Sequence, residues 1–135
     1  MARVLFVCLH NAGRSQMSQA FFEKLAADHH EAWSAGTEPA ANIDPNVVTA
    51  MKEVGIDLGH RVPRRLTNDQ VRWADLVVTM GCGDACPVFP GKTYIDWDLL
   101  DPGSRSLDEV RKIRDDIEGR IKELVKELDH ATIGG

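Results

Sequence analysis

Three residue types that together can bind and attack an oxyanion stand close in the stretch VLFVCLHNAGRSQ: Cys8, then Arg14 and Ser15, with Leu9, His10, Asn11, Ala12 and Gly13 between. An apolar run leads into the cysteine and an amphipathic run follows the serine, so the loop joins the end of a strand to the start of a helix. Backbone N–H groups in such a loop, with the helix N-terminus behind them, make a nest for a tetrahedral anion without any metal. Arg14 supplies a guanidinium that can hold two of the anion's oxygens at once. Asn11 and Gly13 tolerate the left-handed backbone angles a tight cradle demands. The same positive field favours the thiolate of Cys8 over the thiol, which makes it a nucleophile. Ser15 can cap the helix and can also give its hydroxyl to the sulfur. The lysine of the nucleotide-binding loop GxxxxGK[ST] is missing, so a nucleoside triphosphate is not the expected guest.

Two further places carry chemistry. LLDPGS puts the carboxyl of Asp101 in a loop that Pro102 stiffens. Alone it reads as a turn; facing a bound anion, a buried carboxylic acid there would protonate a departing oxygen. GCGDACP holds Cys82 and Cys86 with three residues between them. Two thiols, with His29, His30, His60 and His130 scattered, fall short of the four ligands of a tetrahedral zinc site. Three cysteines is an odd count, and in a reducing compartment it favours catalysis over structural bridges.

These residues must be positioned by strands and helices that the pattern predicts. RVLFVC is short, β-branched and apolar on both faces, as a central parallel strand is. Helix follows over QMSQAFFEKLAAD with Met17, Ala20, Phe21 and Leu25 inward. EAWSAG is a second strand ended by Gly36. Asp44 caps and Pro45 opens a helix over NVVTAMKEVG, which Gly55 stops. TNDQVRWA is a short helix, DLVVTM a third strand and TYIDW a fourth, with Trp33, Trp73 and Trp97 as core. The last helix, LDEVRKIRDDIEGRIKELVKELDH, points Val110, Ile113, Ile117, Ile121, Leu124, Val125 and Leu128 inward, and ATIGG is a frayed tail. Strands alternating with helices predict an α/β fold, a four-stranded parallel sheet sandwiched between helical layers. Ligands then bind beyond the carboxyl ends of the strands, the edge on which the Cys8, Cys82/Cys86 and Asp101 loops all open.

At 135 residues the chain suits one domain, 1–135, able to bury roughly two-thirds of its unfolded surface. An apolar share of 43% and a charged share of 27% exclude disordered and fibrous classes. A net charge of −5 argues against nucleic acid, and the basic residues are dispersed except at HRVPRR, which reads as a solvated loop. The N-terminal apolar run is too short for a membrane span and lacks a cleavage site, so the cytoplasm is the expected location.

With VLFVCLHNAGRSQMSQAFF, SAGTEP, GID, ADLVVTM, CP and DWDLLDP, the chain resembles the low-molecular-weight protein tyrosine phosphatase fold over nearly its whole length. It is more closely similar to the arsenate reductases built on that fold, of the actinobacterial thioredoxin- or mycothiol-coupled type. The resemblance implies a three-layer sandwich, Cys8 as nucleophile, Leu9 to Ser15 as the oxyanion loop, Arg14 as oxyanion stabiliser and Asp101 as general acid. It also implies that Cys82 and Cys86, or an external thiol, break the arsenic–sulfur adduct, with thioredoxin or mycothiol and mycoredoxin as reductant. Gln19 stands where some relatives carry a glutamate that helps bind potassium, so neither a metal nor a cofactor is expected. A tyrosine phosphatase is the alternative, although the phosphatases resembled have a tyrosine after DP where this chain has Gly103 and Ser104. An oxyanion-binding module without turnover is the third reading. Phosphate and sulfate should compete with arsenate, sharing its shape and charge.

Overall fold

Apolar residues at consecutive positions need cover on both sides, and the first strand gets it. The computed structural model describes residues 1–81 and 90–134, with side chains through His130. Strand β1 (Arg3–Cys8) buries every residue after Arg3. It lies between β2 (Glu31–Gly36) and β3 (Leu76–Thr79), and β4 (Thr93–Asp96) pairs with β3, so the sheet order is β2-β1-β3-β4. All pairings are parallel, with Cys8 opposite Gly36 and Val7 opposite Thr79. The carboxyl ends of β1, β2 and β3 therefore share one edge.

Side chains alternate across the sheet. Val4, Phe6 and Cys8 join the larger core with Leu76, Val78 and Met80, under α1 (Arg14–Ala26), α2 (Pro45–Lys52) and α4 (Leu107–Gly134). Leu5, Val7 and Val77 face the other way, under the short α3 (Asn68–Trp73), whose Val71 joins them. The predicted sandwich is thus formed, with a heavy helical layer on one face and a light one on the other.

Local signals act where the sequence places them. Asp44 accepts from Asn46 N at 2.9 Å with Pro45 at the first helical position, Thr67 and Gln70 form a capping box, and Gly55 takes φ +81. Hydrogen bonds from Arg111 on α4, with Arg114 beside it, hold the Glu53 carboxyl below its ordinary range at the end of α2.

Four expectations need correction. Ser15 does not cap α1: Gly13 is the N-cap, without a side-chain bond, and Ser15 lies in the first turn with its hydroxyl on the sulfur of Cys8. Leu25 is 37% exposed, because Phe22 and Ala26 take the inward face. Trp33 is 42% exposed: β2 is an edge strand, and α3 is too short to cover it. Its ring meets Trp73 edge-on at 6.4 Å with the Arg64 guanidinium 5.2 Å above it, while Trp97 is core as expected. Helix α4 runs on through ATIGG as far as Gly134, there being no proline or earlier glycine pair to stop it.

Candidate active site

Why the loop after β1 becomes a nest follows from where its carbonyls go. Those of Cys8, Leu9, His10 and Ala12 accept from the N–H groups of Thr37, Glu38, Ala40 and Asp44, at 3.2, 2.8, 3.0 and 3.0 Å. Every peptide among the described residues is trans, so each carbonyl turned outward turns the next residue's N–H inward. The amides of residues 9, 10, 11 and 13 are thereby aimed at the cradle, and the Asn11 N–H is found 3.2 Å from Cys8 Sγ. Asn11 is buried with φ +50, the left-handed angle expected of it.

Its side chain organises the sulfur. Asn11 Oδ1 accepts from the Arg64 backbone N–H and from Gln16 Nε2, each at 2.9 Å. A backbone amide can only donate, so the Asn11 amide is oriented without ambiguity and Nδ2 faces Ser15 Oγ at 2.6 Å. Ser15 accepts there, and its own proton is left for Cys8 Sγ, 2.9 Å away in a fully buried position. Two donors, one amide and one hydroxyl, thus converge on the lone pairs of a sulfur that is 2% exposed.

Arg14, 5% exposed, reaches over the cradle to donate to the Leu99 carbonyl at 3.4 Å and lies 3.7 Å from Asp101 Oδ2. Gly81, with φ +81, gives the guanidinium its space: a Cβ there would collide with it. Packing against Arg14 is thus the structural reason for a glycine at position 81. The buried setting expected for Asp101 is not found. Its side chain is 49% exposed, with Oδ1 accepting from Gly103 N at 2.9 Å.

Cys8, His10, Ala12, Gly13, Arg14 and Asp101 line one cleft, walled further by Ala40, Ile43 and Pro45. Leu9, Asn11 and Ser15 are not on its wall; they act from behind, through backbone or through the sulfur. Cys82 and Cys86 lie outside the described residues.

Gly13 has φ −150, so the left-handed expectation fails there. Close approach is its reason: a Cβ would sit 2.5 Å from Pro102 Cγ, so the bare glycine lets the Asp101 loop settle onto the anion loop. We expect Gly13→Ala to lower kcat about 10–100-fold by pushing Asp101 away, while the melting temperature changes little; steady-state kinetics beside a thermal melt checks this.

Sequence reasoning missed three contributors. Gly36 was read only as a strand end, yet a Cβ there would meet Leu9 O at 2.8 Å and Asn11 N at 2.9 Å. Gln16 passed as an ordinary helical residue. HRVPRR, read as a solvated loop, supplies the Arg64 amide, bridges Arg65 to Gly36 and pairs Arg61 with Glu23 at 2.8 Å. A glycine closing the second strand was the only signal available beforehand, and the register that sets it opposite Cys8 comes from the structure.

The residues near Gln19 do not compose a potassium site. Gln19 Oε1 already accepts from Ser34 Oγ at 2.6 Å, Glu23 is neutralised by Arg61, and Arg61, Arg64 and His60 line the same hollow. Gln16 Oε1 has no partner among the described residues, but one neutral oxygen amid guanidinium groups does not attract a cation.

Comparison with known proteins agrees with this geometry. The putative arsenate reductase of Halobacterium salinarum is 41% identical over 129 residues, covering 92% of this chain and 91% of that protein. Among solved structures, a thioredoxin-dependent arsenate reductase of Corynebacterium glutamicum aligns with a TM-score of 0.82 and 41% identity over 97% of this chain; the chain spans 63% of its length. An arginine phosphatase from Geobacillus stearothermophilus aligns with a TM-score of 0.86 and 27% identity, over 99% of this chain and 97% of its own. Residues 3–132 match the model of the low molecular weight phosphotyrosine protein phosphatases. Parallel sheet, carbonyl-out loop, sulfur at its floor and matching sequence from end to end lead to one conclusion: the chain belongs to the low molecular weight phosphotyrosine protein phosphatase family.

Proposed function

We propose that this chain is a thiol-dependent arsenate reductase, acting as one domain over residues 1–135. The observation that carries the reading is the string Arg64 N–H, Asn11, Ser15, Cys8 Sγ beneath an inward-facing set of amides: it prepares a nucleophilic sulfur where a tetrahedral oxyanion fits. Arsenate enters the cradle formed by Leu9 to Ser15, with Arg14 across two of its oxygens. Cys8 attacks arsenic in line, and Asp101 gives its proton to the departing oxygen. A second thiol then attacks the Cys8 sulfur. The sulfur–arsenic bond breaks with its electron pair on arsenic, which leaves as arsenite while a disulfide forms.

The sequence supports an internal source for that thiol. Cys82 follows Gly81, the residue packed on Arg14, and Cys86 is next in line. Cys82 takes the bond from Cys8, Cys86 takes it from Cys82, and a reductant reopens the pair: thioredoxin, or mycothiol with mycoredoxin. The cytoplasm, where both kinds of reductant work, is the location proposed. Among the described residues no helix is long and apolar enough to cross a membrane.

The test is arsenite formation by the purified protein with thioredoxin and its reductase, in parallel with mycothiol and mycoredoxin. In the productive system Cys82→Ser and Cys86→Ser should each cut steady-state turnover by about 100-fold or more, yet still lose the Cys8 thiol on adding arsenate. Normal cycling of both variants on a small thiol would move the resolving role outside the chain. Hydrolysis of an aryl phosphate without any reductant would favour the phosphatase reading instead, and anion binding with neither activity would leave a binding module.

A further inference from the structure

One titratable group in the cleft has no part in the scheme so far. His10 sits in the anion loop, its backbone held by Ala40 N on His10 O, and its imidazole lines the same cleft as Cys8 and Arg14. Nδ1 is 3.0 Å from the Glu38 carbonyl oxygen. A carbonyl only accepts, so Nδ1 carries the proton, and the lone pair of the neutral ring is on Nε2. The cleft measures about 440 Å³, against roughly 30 Å³ for a water molecule, so a bound five-atom oxyanion leaves room for a second reactant.

We propose that His10 is the general base for the thiol that resolves the Cys8–arsenic adduct. This rests on the arsenate reductase reading. A free thiol is only a few per cent ionised at neutral pH, so the incoming sulfur needs to lose its proton as it arrives. That proton passes to His10 Nε2. The thiolate sulfur attacks Cys8 Sγ, a sulfur–sulfur bond forms, and the sulfur–arsenic bond breaks with its pair on arsenic, reducing arsenic(V) to arsenic(III). The imidazolium keeps its Nδ1–H bond to the Glu38 carbonyl, whose dipole stabilises the new charge, and returns the extra proton to the departing arsenite or to water.

The other charged groups around the ring do not suit this task. Asp44 is occupied as the cap of α2, Asp101 lies against Arg14 and serves the first half-reaction, Arg14 has no basic lone pair, and Cys8 is consumed in the adduct. The Glu38 carboxylate belongs to an exposed residue on the segment that presents the carbonyl. Imidazole is the group whose ordinary ionisation range straddles neutrality.

The experiment places His10→Gln and His10→Ala in a Cys82→Ser, Cys86→Ser background, so that added 2-mercaptoethanol is the incoming thiol. Adduct formation with arsenate is measured first, by loss of the Cys8 thiol, and arsenite release second, from pH 6 to 9.5. Glutamine can keep the bond to Glu38 but has no basic lone pair. Both variants should release arsenite about 30-fold more slowly at pH 6.5, with a rate that climbs roughly tenfold per pH unit and meets that of the His10 protein near pH 8. Adduct formation should slow by much less than arsenite release at pH 6.5 and should not show the same climb with pH, since in that step His10 acts through its backbone. A Gln variant as fast as the His10 protein at pH 6.5, or a deficit that persists unchanged to pH 9, overturns the proposal. If arsenate leaves the Cys8 thiol of the His10 protein intact, the arsenate reductase reading fails at the first measurement, and this proposal with it.

Discussion

Cys8→Ser protein reduces no arsenate and hydrolyses no aryl phosphate, yet it folds and still binds phosphate. The oxygen that replaces sulfur fits the same pocket: the Asn11 N–H and the Ser15 hydroxyl, 3.2 and 2.9 Å from Sγ, can both donate to it. It remains a neutral hydroxyl at neutral pH, because an alcohol is a far weaker acid than a thiol and makes a poor nucleophile without its proton removed. Loss of at least about 10⁴-fold is expected, the scale seen when a covalent nucleophile is removed while its binding site survives. Arsenite production, titration with phosphate and a thermal melt on the same preparation separate chemistry from folding. Residual turnover of even a few per cent would mean that another residue makes the first bond.

Arg14→Lys should cost about 10²–10³-fold in kcat/KM for arsenate and weaken phosphate competition in parallel. The guanidinium is buried, spans from the Leu99 carbonyl to Asp101, and rests on a glycine that leaves it just enough space. A lysine keeps the charge but offers one point in place of a planar fork, so it cannot hold two oxygens of an in-line transition state at once. It also gives up the bond to Leu99, which fixes the side chain beneath the Asp101 loop. A charge-only role for Arg14 would predict a loss below about tenfold, and kinetics with arsenate against phosphate as inhibitor decides between the two.

Much of the architecture was legible because short periods of apolar residues have few physical solutions. RVLFVC reads as a doubly covered strand, and the structure puts it next to the middle of the sheet with alternate side chains in two cores. Asp44 with Pro45, Thr67 with Gln70, and Gly55 are local signals acting over a few residues, and each acts where it was read. The boundaries of α1 were less legible. A serine near a helix start reads as a cap, and only the neighbouring sulfur shows why its hydroxyl is used elsewhere.

By itself the sequence determined the order of strands and helices, the loop that carries Cys8, Arg14 and Ser15, and the edge on which Asp101 opens, since all of these follow from periodicity and from covalent neighbours. Only the tertiary structure decided how the sulfur is prepared. The proton on Ser15 is aimed by Asn11, Asn11 is oriented by the amide of Arg64, and the cradle is kept open by Gly36, Gly13 and Gly81, which stand 27, 89 and 67 positions from Leu9, Pro102 and Arg14, the residues they make room for. Hydrogen-bond direction and close approach are properties of distance in space, and no local pattern along the chain encodes which distant backbone will arrive.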